Sequence, residues 1–136
     1  MTLPPLSAVD RDILTRTLFG EARGEPLAGQ VAVVHVLRNR VIARKSNAAA
    51  ECQRPWQFSC WLETDPNRRK LDALRPDSAE YQTLAAVVDA AWPEPDTVQG
   101  ARHYYATSMP APPKWAKPPA REVARIGGHA FWAGVA

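Results

Sequence analysis

Metal-ligating side chains are scarce in this chain of 136 residues, which has two cysteines (Cys52, Cys60) and three histidines (His35, His103, His129). Two thiols cannot complete a structural zinc site, and the histidines are scattered without ligand spacing, so neither a metal nor any other cofactor is expected. No apolar run approaches the roughly 18 to 20 residues of a membrane span, which excludes insertion as a helix. The opening "MTLPPLSAVDRD" lacks a basic n-region, an apolar h-region and a small-residue cleavage site. Synthesis in the cytoplasm without a signal peptide is therefore the expectation. Lysine is also rare, with four against 13 arginines and a net charge of only +3. Arginine suits bidentate contact with carboxylate or phosphate, but these arginines are dispersed and no helix-turn-helix, RRM or zinc pattern accompanies them, so nucleic acid is not the expected partner. Cys52 and Cys60 have two readings: buried reduced thiols, or a disulfide closing a short loop after arrival in an oxidising compartment.

The length accommodates one domain, 1–136, and the expected assembly is a monomer. Ser7 or Asp10 can cap a first helix whose apolar positions Val9, Ile13, Leu14 and Leu18 recur at helical spacing, with Gly24 and Pro26 as its stop. A second helix spans about 27–44, with Val33, Val34, Leu37, Val41 and Ile42 in one broad stripe; it is the candidate buried central helix. A loop is expected from about 46 to 77, then a third helix after a capping box of Asp77 and Glu80, ended by "PEPD". "MPAPPKWAKPPA" holds five prolines in twelve residues and reads as an irregular, stiffened surface segment. "VARIGGHAFW" reads as a hairpin with a Gly-Gly turn.

"LFGEARGEP" places Glu21 at i+7 from Leu14 and i+3 from Leu18, on the apolar side of the first helix and near its C-terminal end. A solvated surface glutamate has no reason to be there. Burial and the negative end of the helix dipole both push a carboxyl pKa upward, as a general acid requires. Loops rich in Trp, Tyr, Gln and His have the composition of a carbohydrate site, where aromatic faces stack on sugar rings and polar tips meet hydroxyls and acetamides. Glycosidic cleavage needs one protonated carboxylic acid to donate to the leaving oxygen, and Glu21 fits.

"ILTRTLFGEARGEPLAGQVAVVHVLRNRV", "QFSCW", "ARHYYA" and "IGGHAFW" occur in the order and approximate spacing of the spore cortex-lytic, SleB-type cell-wall hydrolases, which the chain resembles over about residues 10–132. The resemblance implies a small lysozyme-like fold, mainly α (α+β) with a small C-terminal β-hairpin. It further implies an enzyme that cuts peptidoglycan glycan strands between N-acetylmuramic acid and N-acetylglucosamine, usually as a lytic transglycosylase, with the first glutamate of "GEARGE", Glu21, as acid/base. Phe19 stands where the family commonly has tyrosine, and "HYYATS" replaces "HYYNP", so Ala106 lacks an amide that could touch substrate. A leaderless catalytic domain of this kind is expected of a phage or prophage endolysin, reaching the periplasmic cell wall through a holin.

The alternative for Glu21 is a buried salt bridge to Arg23 or Arg38. Glu25 either orients substrate or Glu21, or ties the turn to the second helix. Gln57 and Ser59 are candidate substrate contacts, with Phe58 plain core. His103, Tyr104 and Tyr105 read as substrate-binding residues or as a strand with one tyrosine facing inward. Trp115 is either a stacking platform at the groove edge or a plug on the core, while Trp56, Trp61, Trp92 and Trp132 read as packing and His35 as a hydrogen-bonded core or surface histidine. A retaining hydrolase needs a second carboxyl group about 5 to 5.5 Å away and an inverting one about 6.5 to 9.5 Å. Gly24 and Pro26 turn Glu25 away from the helix, and Glu63 and Asp65 are unanchored in the expected loop. The carboxylate count thus predicts 1,6-anhydromuramyl products, against a hydrolytic muramidase using a second carboxylate such as Glu25, or a non-catalytic glycan- or nucleic-acid-binding module.

Overall fold

The computed structural model describes residues 3–55 and 57–135, so the packing expectation for Trp56 lies outside the described residues. Helix α1 (Ala8–Ala22) opens on a complete capping box: the Ser7 hydroxyl accepts from the Asp10 amide and the Asp10 carboxylate accepts from the Ser7 amide. Leu14 and Leu18 are buried as the spacing predicts, whereas Val9, assigned to the same stripe, is 64% exposed because the first turn extends past the core. The helix ends at Ala22 without a left-handed glycine. Arg23 stays right-handed and its guanidinium caps the end of the helix by donating to the Phe19 carbonyl.

Helix α2 (Leu27–Arg44) starts at Pro26 and is buried nearly all round in its middle turns. Val33, Val34, Leu37 and Val41 pack with Leu14 and Leu18 of α1. Ala32 and Val36, on another face, join Val98, Ala101 and Phe131 in a second cluster beneath the sheet. Each fully buried Val or Leu contributes roughly 1.5 to 3 kcal/mol of transfer free energy, so α2 links two cores that neither layer could build alone.

The expected loop between 46 and 77 is in fact helical in three places: α3 (Ala48–Cys52), one 3-10 turn (Ser59–Trp61) and α4 (Pro66–Ala73). Their caps were present in the sequence. Asn47 accepts from the Ala50 amide, and Asp65, followed by Pro66 in the first turn, accepts from the Asn67 amide. Elements this short show too little apolar periodicity to read by pattern. Helix α5 (Ala79–Ala91) is capped by Ser78 rather than by Asp77, whose carboxylate is paired with Arg75.

Strands β1 (His103–Ala106), β2 (Arg121–Ile126) and β3 (His129–Ala133) form an antiparallel sheet in the order β1-β3-β2. The β2-β3 hairpin turns on Gly127-Gly128 as expected, with Gly127 at φ 57°. A third strand, β1, extends the hairpin and pairs Tyr104 with Phe131 and Ala106 with His129. Cys52 and Cys60 are both buried free thiols, and burial pushes the Cys52 pKa up to about 12.

His35, fully buried, fixes the loop after α5. Its Nδ1 accepts from the Thr97 amide (3.1 Å) and faces the Thr97 hydroxyl (2.8 Å), so Nε2 carries the proton that goes to the Ala91 carbonyl (2.8 Å). Burial lowers its pKa, as it does for His103 and His129. A depressed histidine is neutral in both states above about pH 6.5, and below that the unfolded chain takes up the proton first. Stability is therefore expected to be full at pH 7 and above and to fall as the pH drops through 6 to 5. Thermal melts across that window check this, and a melting temperature that rises or stays level toward pH 5 would contradict it.

Candidate active site

Glu21 is the penultimate residue of α1, half-buried where the helix end meets the sheet and the 3-10 turn. The Tyr104 hydroxyl, reaching in from β1, donates to Glu21 Oε1 at 2.9 Å. The Cys60 thiol lies beside the carboxyl group and favours its charged form. Gly20 makes that approach possible, since a Cβ there would lie 2.7 Å from Cys60 Cβ and 2.8 Å from its Sγ. The turn is pinned to α1 one step earlier, where Trp61 Nε1 donates to Thr17 Oγ1 at 2.9 Å.

Burial is the dominant influence on Glu21 and raises its pKa; the Tyr104 hydrogen bond and the Cys60 thiol oppose it, the charge of Asp65 adds to it, and the charge of Arg40 opposes it. Desolvation wins, leaving a carboxyl group shifted toward the protonated form that a proton donor needs. Among the described residues no cation lies within ion-pair distance of Glu21. The salt-bridge alternative is not realised: Arg23 donates to the Phe19 carbonyl and to Asn67 Oδ1, and Arg38 to the carbonyls of Trp92 and Glu94.

The other residues picked out by sequence divide into three groups. Glu25 ties the turn: its Oε1 accepts from the Gly128 amide at 2.8 Å and lies 3.3 Å from His129 Nδ1, joining the end of α1 to the tip of the hairpin. Gln57 and Ser59 are exposed beside the 3-10 turn, and the Gln57 carbonyl is held by Arg40 at 3.0 Å. Phe58 is buried, as expected. Tyr104 faces Glu21, and by strand alternation His103 and Tyr105 face the other way. There they meet Trp115 at ring separations of 5.3 and 5.9 Å, and Trp115 packs edge-on against Trp132 at 6.1 Å. This half-exposed aromatic group does not share a sheet face with Tyr104 and Glu21. A cavity of about 530 Å³ walled in part by Leu3, Pro4, Val41 and Ile42 does not include Glu21, Tyr104 or Cys60.

Sequence reading missed Arg40, Cys60 and His129 as neighbours of the site. Arg40 is buried inside α2, donates to the Arg102 carbonyl at 2.7 Å and lies over the Phe58 ring. An arginine within the buried run "VLRNRV" was the available signal, because a buried guanidinium must have partners.

The profile of the Cell Wall Hydrolase family matches residues 24–132. The chain belongs to that family. Two solved structures are similar to this family member across nearly its whole length. The catalytic domain of the germination-specific lytic transglycosylase SleB from Bacillus anthracis is 27% identical, with 92% of this chain and 94% of that one covered and a TM-score of 0.72. The catalytic domain of the Bacillus cereus SleB protein is 26% identical, with 95% and 94% covered and a TM-score of 0.74. A comparison with curated proteins finds no match. The chain thus has the SleB-type catalytic-domain fold. Glu21 lies three residues before the family match begins, in the last turn of α1.

Tyr104→Phe removes a donor that stabilises the charged form of Glu21, so the carboxyl pKa is expected to rise further. The alkaline limb of the activity profile should then move to higher pH. A limb that stays in place or moves down would place the titrating acid elsewhere.

Proposed function

We propose that this cell-wall hydrolase cleaves peptidoglycan glycan strands between N-acetylmuramic acid and N-acetylglucosamine, with Glu21 as general acid and then base, releasing 1,6-anhydromuramyl ends. The observation that carries the reading is a single desolvated carboxyl group at the junction of helix and sheet, held by Tyr104 and Cys60 and unpaired with any cation among the described residues. The description of the Bacillus anthracis relative as a lytic transglycosylase supports the reaction type.

Glu21 protonates the leaving glycosidic oxygen as the bond to the muramic C1 breaks. The resulting carboxylate takes the proton from the sugar's own C6 hydroxyl as that oxygen attacks C1. Protons balance and Glu21 returns to its starting state, with no water consumed. The environment of the other acids supports this route over hydrolysis. Glu25 spends its carboxylate on Gly128 and His129. Asp65 spends one oxygen capping α4, although its charge is felt at Glu21 and makes it the nearest alternative base. In a hydrolytic muramidase such a second carboxylate would activate water.

Glu21→Gln keeps the side chain's volume and its acceptor for Tyr104, so the fold is expected to persist while cell-wall lysis falls to a few per cent of the unmutated level or less. Digestion in oxygen-18 water, followed by mass spectrometry of the soluble products, separates the two routes. Anhydro ends one water lighter and without label are expected. Labelled muramic termini, together with loss of activity in Asp65→Asn as complete as in Glu21→Gln, would establish hydrolysis instead.

A further inference from the structure

His129 has no part in the mechanism above, yet its side chain is only 11% exposed and carries a buried nitrogen without a hydrogen bond. That nitrogen, Nδ1, stands 3.3 Å from Glu25 Oε1. On the other side the ring meets Tyr104 edge-on, with centroids 4.7 Å apart and planes at 62°. Tyr104 sits on β1, an edge strand bonded only to β3, so its ring depends on lateral packing to keep the hydroxyl in place. His129 is directly opposite Ala106 and therefore diagonal to Tyr104 on the same sheet face. Diagonal neighbours are within reach of aromatic side chains, and the small Ala106 leaves the histidine ring room to lean across.

We propose that His129, braced by Glu25, is a positioning residue that holds the Tyr104 hydroxyl on Glu21. The contacts close a circuit. Glu25 follows the end of α1 and accepts from the Gly128 amide, next to His129. A Cβ on Gly127 would come 2.5 Å from Glu25 Oε1, so the glycine turn is what allows the carboxylate to reach the hairpin. His129 presses on Tyr104, and Tyr104 donates back to Glu21 on α1. A phenylalanine at 129 could pack on Tyr104 but could offer nothing to Glu25. A histidine packs on Tyr104 and also places a polar nitrogen 3.3 Å from Glu25 Oε1, which accounts for a polar ring in an apolar strand.

The inference rests on Glu21 being the acid, and the experiment keeps the two claims apart. The pH dependence of kcat/KM is measured on peptidoglycan for the unmutated protein, Tyr104→Phe, His129→Ala and the double variant, with Glu21→Gln beside them. The groups that face Glu21 are Tyr104, Cys60, Asp65 and Arg40, and those that face His129 are Glu25 and Tyr104; only the Tyr104 contact is shared. His129→Ala is expected to move the alkaline limb upward by the same amount as Tyr104→Phe, and the double variant to move it no further. His129→Asn, which keeps a polar group toward Glu25 but removes the ring, replaces His129→Ala if the latter does not fold, with the same expectation. An unmoved limb with lowered melting temperature, or a double shift equal to the sum of the singles, overturns the proposal. Retained activity in Glu21→Gln instead overturns the assignment of the acid.

Discussion

The burial of α2 on more than one face is the constraint on which the rest of the molecule depends. A helix covered by α1 and α5 on one side and by the sheet on another has no solvent-facing stripe in its middle turns, so its polar side chains must find partners inside. His35 and Arg38 take backbone carbonyls at the end of α5 and in the loop beyond it, and Arg40 takes the Arg102 carbonyl just before β1. These bonds fix the segment that delivers Tyr104. These three side chains of α2 thus act mainly on backbone, and the Arg40 bond sets where β1 begins.

Desolvation then sets the state of Glu21. Glu21 is shifted by being covered, not by a neighbouring anion in contact, and the hydrogen bond it accepts from Tyr104 moderates the shift while fixing its orientation. A carboxyl group exposed at the same helix end would titrate as an ordinary surface acid. A carboxyl group paired with Arg23 or Arg38 would be held ionised. The site avoids both outcomes because those arginines are committed to carbonyl groups and because Gly20 lets the Cys60 turn close over the helix end.

Much of this was legible in the sequence. The capping box at Ser7 and Asp10, the span of α2 and the Gly-Gly hairpin are local signals, each set by residues within a few positions of one another. The position of Glu21 on the apolar side near a helix end followed from the same periodicity. The short helices between 46 and 77 escaped because their caps, Asn47 and Asp65, precede segments too brief to show a period. The strand at 103–106 could be considered but not chosen, since four residues of alternating aromatic character acquire a sheet only when β3 lies beside them.

What the sequence determined by itself was the set of local preferences: where helices start, where the chain turns, and which carboxylate sits against apolar neighbours. Tertiary structure decided which partners those residues meet. It turned Glu25 toward the hairpin, set Tyr104 on Glu21 while sending His103 and Tyr105 to the opposite face with Trp115, and brought Cys60 and His129 into contact with residues about 40 and 25 positions away in the chain. The physical reason is that caps and periodicity act over a few residues, whereas desolvation, close approach at a glycine and long-range hydrogen bonds exist only once separate segments are packed together.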